Sequence, residues 1–177
     1  MSLRIAQLDD DPDAPFPPIG NALADPDGLL AFGGDLSPGR LLNAYRQGIF
    51  PWFSEDEPPL WWSPSRRAVF RTDAVRLSSR HRRALRKSPL VVRADTRFRD
   101  VIEACAHLPR TGQGGGTWIT EGMIEAYVDL HRLGHAHSIE VFDGDDLIGG
   151  LYGLAVGRMF CGESMFSAQS GASSVAL

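Results

Sequence analysis

One acid, Glu163, stands in the strand-like segment MFCGESMF near the end of the chain. A carboxylate there can hold an amine and help its proton leave, which is general acid–base work. It also fits an exposed acid at a strand end, as isolated acids usually are. Cys161, two residues earlier, would be a nucleophile only as a thiolate. No paired His marks a lowered pKa, so it reads as a buried small hydrophobe. His135 and His137 lie two apart on a strand-like run and therefore share a face. Without converging Cys or Asp partners the pair reads as structural or surface, and no metal is implied.

A second kind of chemistry is suggested by rings and cations. Phe50, Trp52, Phe53 and Trp61 bracket the acidic loop SEDEPP, and Trp118 stands further along the chain. An indole face can stack on a base, for roughly 1–3 kcal/mol. Core packing is the other use of an indole, and it suits Trp61 and Trp62. The net charge of -4 conceals a sharp asymmetry. Residues 66–99 carry twelve basic and two acidic side chains, a net +10, and the segments on either side are each at -7. Such a run reads as a docking patch for a polyanion, or as a solvated face balanced by acids folded against it. Charge alone does not separate the two.

These groups have to be held by something. The 177 residues, 43% hydrophobic and 23% charged, are enough for one domain or two small ones. No run approaches the ~20 apolar residues of a membrane span. The acidic N-terminus has no charged-then-apolar signal region. Two distant cysteines with no C-x-x-C spacing argue against a disulfide scaffold or zinc knuckle. The expectation is a reduced, cytoplasmic protein.

Residues 1–35, rich in Pro, Gly and Asp, predict extended chain and turns. A helix follows, with Ser37 as N-cap, Pro38 at its first position, Leu41, Leu42 and Tyr45 on one face, and Gly48 just past its end. AVFRT (68–72) predicts a strand, residues from Ser79 to before Pro89 a basic helix, and LVVRA (90–94) a strand. Thr96 is expected to cap a helix built on Phe98, Val101, Ile102 and Cys105. PRTGQGGG (109–116) reads as a flexible loop. Thr120 should cap a helix with Ile124, Tyr127 and Leu130 as its buried stripe and Gly134 at its end. From 136 the period changes to two, which predicts an antiparallel meander turning at D-G-D-D and at G-R. SGASSVAL then has cap residues and the start of an apolar helix too short to stand alone. It reads as the end of a chain truncated relative to a longer product.

Several segments together carry a resemblance. GLLAFGGDLSPGRLLNAYRQGIFPWF (28–53), LWWSPSRRAVF (60–70), GTWIT (116–120), LHRLGHAHSIEVF (130–142) and LIGGLYGLAVGRMFCGESMFS (147–167) look like the leucyl/phenylalanyl-tRNA–protein transferases. The resemblance covers nearly the whole chain from Gly28 onward. It implies an α/β (α+β) fold. A small N-terminal α/β domain (1–64) would precede a mixed-sheet domain similar to the acetyltransferase (GNAT) fold (65–177), incomplete at its C-terminal end. It also implies the reaction, in which the α-amino group of an N-terminal Arg or Lys attacks the ester of leucyl-, phenylalanyl- or, less well, methionyl-tRNA. The product would be routed to degradation by the N-end rule. No cofactor is implied.

The resemblance places a catalytic carboxylate at Glu163. It sets Trp52 and Trp118 around the 3′-terminal adenosine and Leu151 and Phe160 around the amino-acid side chain. Tyr45 and Ser167 are read as substrate-binding beside them. Alternation puts Leu151 and Gly153 on one face, a pocket floor where Gly153 leaves room. Arg80, Arg82, Arg83, Arg86 and Lys87, on one short helix, are the expected tRNA-backbone contacts. In the family the last helix leads into a strand carrying Asp-Cys-Gln, whose Asp and Gln belong to the catalytic centre. This chain ends before it, so little transfer and some self-association are expected. Two rival readings remain. One is a non-catalytic tRNA- or protein-binding remnant. The other is an acyl-CoA N-acyltransferase, although SAQSGAS lacks the Q/R-x-x-G-x-G/A turn that would cradle a pyrophosphate.

Overall fold

A computed structural model describes residues 5–108 and 117–177, apart from the side chains of Arg80, His81, Ala84 and Lys87. The 109–116 loop therefore lies outside the described residues. Two four-stranded sheets are present, and helices pack against them, as the α/β expectation required.

The first sheet is built from β1 (Ala6–Leu8), β2 (Leu29–Gly33), β3 (Phe50–Pro51) and β4 (Leu60–Trp62), in the order β1-β2-β4-β3. β1 runs parallel to β2, and the other pairings are antiparallel. The first 35 residues are thus more regular than their Pro and Gly content predicts. Two short strands form there because each finds a partner distant in sequence. Between β2 and β3 lies α1 (Pro38–Arg46). Ser37 caps it by accepting from the Arg40 amide at 3.4 Å, and Gly48 follows its end at φ 75°.

Arg40 locks this part together. Its side chain is fully buried, pairs with Asp35 at 3.0 Å, and donates to the carbonyls of Asp9 and Asp11 at 2.9 and 2.6 Å. Gly34, at φ 70°, lies so close that a Cβ there would sit 2.9 Å from the guanidinium carbon.

α2 (Ser79–Lys87) is the predicted basic helix, and it ends before Pro89. The predicted strand at 68–72 does not form. Its apolar members have no sheet to join, and Phe70 is 79% exposed. The second sheet, β5 (Val91–Ala94), β6 (Ala136–Asp143), β7 (Asp146–Val156) and β8 (Met159–Ser167), is antiparallel and in sequence order. Gly144 and Gly157, at φ 60° and 59°, turn the meander where D-G-D-D and G-R were read.

α3 (Phe98–His107) and α4 (Glu121–Arg132) pack on one face of this sheet. Thr120 caps α4 by accepting from Met123 N at 3.2 Å. Thr96 does not cap α3. The N-cap position falls to Arg97, and the Thr96 hydroxyl donates to Glu140 at 2.9 Å. Glu140 is fully buried and, among the described residues, forms no ion pair, although Arg93 stands opposite it on β5. Its carboxylate accepts from the amides of Thr96 and Arg97 and from the hydroxyls of Thr96 and Ser138. A strand residue therefore takes up the two amides that lead into α3 and sets a negative charge at that helix's N-terminus.

One apolar core runs through both sheets, from Leu8, Phe16, Leu30 and Trp61 to Val101, Tyr127, Tyr152 and Leu154. A smaller cluster of Val141, Ile148, Leu151, Ala172 and Ala176 lies between the other face and α5 (Ala172–Ala176). The N-cap residue of α5 has no side chain to cap it. Gly171 occupies its N-cap at φ 84°, and Ser167 Oγ accepts from the Ser173 amide at 2.8 Å. This five-residue helix holds by packing, with Ala172 against the bare Gly149 of β7.

Candidate active site

Glu163 owes its position to an irregularity in pairing. In the β7–β8 ladder Tyr152 faces Ser164, but the next residue, Gly153, faces Gly162. Glu163 is the extra residue between them, a bulge of the sort that re-aims a side chain. Its carboxylate points to the α4 side, where the Tyr127 hydroxyl donates to Oε2 at 3.4 Å. The Tyr127 hydroxyl is 2.5 Å from that of Tyr45, on α1. Both tyrosines are buried in the core. Tyr127 packs edge-on against Tyr152, ring centroids 5.7 Å apart.

The electrostatics follow from the burial. Loss of solvent pushes the Glu163 carboxyl up to about 7, against the opposing pull of the Tyr45 and Tyr127 hydroxyls and the Arg67 charge. Burial, and then the nearby Glu163, hold both tyrosine hydroxyls well above their usual range, so they stay protonated donors. The same two causes raise the Cys161 thiol, which supports the reading of that residue as no nucleophile. A carboxyl poised near neutrality can both accept and return a proton.

A second group, linked to this acid among the described residues only through the charge of Arg67, is an aromatic shelf. β3 and β4 set Phe50 opposite Trp62. The Trp62 indole donates to the Trp52 carbonyl at 2.7 Å and tilts against the Trp52 ring at 5.5 Å. Trp52 itself is 49% exposed. Trp61 is fully buried and donates to the Gly33 carbonyl at 2.9 Å, so it is the core tryptophan. Trp62, read as core as well, is only partly buried and supports Trp52. Alternation along the strand separates the two neighbours.

The remaining residues are dispersed. Trp118 is half-buried against the main core. Leu151 points into the cluster under α5, on the face opposite the tyrosines. Phe160 is 46% exposed, and its ring tip takes up the room expected beside Gly153, 2.8 Å from where a Cβ would stand. Ser167 is exposed and engaged with α5.

Arg82, Arg83 and Arg86 of α2 are exposed. The side chains of Arg80 and Lys87 are outside the described residues. Elsewhere the basic run is partly neutralised, Arg71 by Asp73, Arg97 by Asp100, and Arg99 by Glu103 and Glu125. His137 bonds Asp95 at 2.8 Å, and His135 is partly buried just before β6.

Two participants escaped sequence reading. Tyr127 was legible as part of a buried stripe but not as a hydroxyl partner, though a buried tyrosine needs one. Arg67, in WSPSRR, was counted only as charge. Its guanidinium lies over the Phe50 ring at 4.7 Å and donates to the Gly48 carbonyl at 3.2 Å.

Comparison with known proteins gives a consistent result. A family described as leucyl/phenylalanyl-tRNA protein transferase matches residues 69–177, and the N-terminal domain of the same enzymes matches residues 34–65. A leucyl/phenylalanyl-tRNA–protein transferase of Xanthomonas axonopodis pv. citri is 70% identical over 170 residues, 96% of this chain and 68% of that protein. One from Xanthomonas euvesicatoria pv. vesicatoria is 70% identical over 164 residues, 93% of this chain and 65% of that protein. One from Xylella fastidiosa is 63% identical over 166 residues, 94% of this chain and 68% of that protein. The chain thus spans about two thirds of the length of these relatives.

Proposed function

The chain belongs to the leucyl/phenylalanyl-tRNA–protein transferase family, and from that membership we propose that it transfers leucine or phenylalanine, and less readily methionine, from aminoacyl-tRNA to proteins beginning with Arg or Lys. The acceptor is the α-amino group. The extended protein carries a bulky apolar N-terminal residue that marks it for degradation by the N-end rule, in the cytoplasm.

Supporting this reading are the carboxyl of Glu163, held near neutrality, and the exposed indole of Trp52 on its shelf. An aminoacyl ester is already activated, so positioning does most of the work, on the order of 7–11 kcal/mol of the barrier. The terminal base lies on Trp52 and Trp118, which brings the ester toward β8. The α-amino group attacks as the free amine, and such groups titrate at about 7.7–8.0. Its nitrogen bonds to the ester carbonyl carbon and loses a proton to the Glu163 carboxylate. The carbon–oxygen ester bond breaks, and the ribose hydroxyl leaves with that proton returned to it. Tyr127 and Tyr45 hold the carboxylate in place throughout. Phe160 receives the transferred side chain, and α2 supplies the tRNA-backbone contacts; Leu151, packed under α5 on the other face, is not placed to join it.

The direct test is to incubate the chain with Phe-tRNA and a peptide beginning with Arg, and to follow the Phe-extended peptide by mass spectrometry. Glu163→Gln should lower the rate by about 10²–10⁴ with tRNA binding retained. Equal rates in wild type and Glu163→Gln would remove Glu163 from the chemistry. Absence of product in both, with tRNA bound, would support a binding role for this chain.

A further inference from the structure

We propose that Arg67 grips the phosphate joining the terminal adenosine of the tRNA to the nucleotide before it, and so sets where the aminoacyl ester falls; this rests on the function proposed above.

The argument starts from adjacency. Phe50 and Trp52 are two apart on an extended chain and share a face, and Trp62 stands opposite Phe50 and against Trp52. These rings form a continuous surface. A base laid on Trp52 carries its sugar and 5′ phosphate across the neighbouring rings, where the Arg67 guanidinium stands over Phe50 at 4.7 Å. Stacking on Phe50 and one bond to the Gly48 carbonyl at 3.2 Å hold that guanidinium in one orientation.

The rest of its planar fork is available to an anion. Arg67 is exposed, and among the described residues no carboxylate pairs with it. A fork pre-oriented on a ring suits the two oxygens of a phosphate better than a mobile ammonium does. The same positive charge is felt by Glu163 and Cys161, so the guanidinium over Phe50 also lies within electrostatic reach of the acid. A phosphate held there leaves the ribose, and the ester on it, on the side of Glu163. Arg67 is in this sense a positioning residue. It acts on the substrate's backbone, whereas α2 meets phosphates further along.

The experiment compares two non-hydrolysable ligands. One is adenosine bearing phenylalanine through an amide at the 3′ position. The other is the same nucleoside with cytidylate linked through its 5′ phosphate. Wild type should bind the dinucleotide more tightly. Arg67→Ala should lose about tenfold on the dinucleotide and nothing on the nucleoside. Arg67→Lys should recover only part of the loss, because the charge returns without the fork. The unchanged nucleoside affinity also reports that the shelf is folded in each variant. Equal losses on both ligands, or none on either, would overturn the proposal and leave the function intact. Failure of wild type to bind either ligand would overturn both.

Discussion

At the scale of single residues, Glu163 links stability to pH in a direction opposite to that of a salt-bridged acid. Its carboxyl is raised to about 7, chiefly by burial, from the ordinary value of about 4.3. Between those values the folded chain binds more protons than the unfolded chain. Stability is therefore greatest below the lower value and falls as pH rises through the window. Above it, the ionised group costs on the order of 3 kcal/mol. Glu163→Gln should be more stable than wild type at about pH 8 and similar at about pH 4, as read from urea midpoints. An unchanged difference between the two pH values would mean that the carboxyl is hydrated. Sequence reading found Glu163 as the acid of its strand, and found the identities of Trp52 and Tyr45. It could not find their geometry. The Tyr45–Tyr127 pair joins residues 82 positions apart, and neither local pattern announces the other.

Elements turn these residues into a site, and here the legibility was uneven. Helices whose periodicity and caps were strong, α1 and α4, appear with Ser37 and Thr120 in their expected roles. The meander was legible because alternation and glycine turns are local. What was missed depended on partners. β1 and β2 are short and become strands only by pairing. Residues 68–72 have strand-like composition and no partner. Thr96 has the chemistry of a cap, but its hydroxyl is turned to donate to the buried Glu140. The bulge at Glu163 is also a property of two strands, and Gly153 is its other half. A Cβ at Gly153 would lie 2.2 Å from the Cys161 carbonyl oxygen, a backbone atom that cannot yield easily. Gly153→Ala should therefore destabilise by about 1–3 kcal/mol and lower transfer by more than the unfolded fraction explains. Denaturant unfolding and the transfer assay on the same sample would measure the two effects. Full activity would show that the strand can shift without moving Glu163.

Across the whole molecule, charge is segregated along the chain. The segment at +10 lies between two at -7, and α2 presents Arg82, Arg83 and Arg86 to solvent. Phosphate contacts release counterions, so affinity for tRNA should fall with salt. The logarithmic slope is about -0.9 for each phosphate neutralised on duplex. Replacing Arg82, Arg83 and Arg86 together by alanine should weaken binding and flatten that slope. Fluorescence titrations across a salt series would show it, and an unchanged slope would move the acceptor stem to another face. The charge was fully legible in sequence, but its partition was not. Arg71, Arg97 and Arg99 spend part of their charge on neighbouring acids, and only the fold brings Glu125 to Arg99.

The unpaired place of Glu163 in the β7–β8 ladder means that this acid is supernumerary to the scaffold. The eight residue pairs on its two sides close without it, so a strand one residue shorter would pair equally well. Inserting a single codon at that point adds a reactive side chain without inverting the inward and outward order of any neighbour. Fold and chemistry are in this respect separately editable, and related chains lacking that one residue would be expected to keep the architecture while having lost, or never acquired, the reaction.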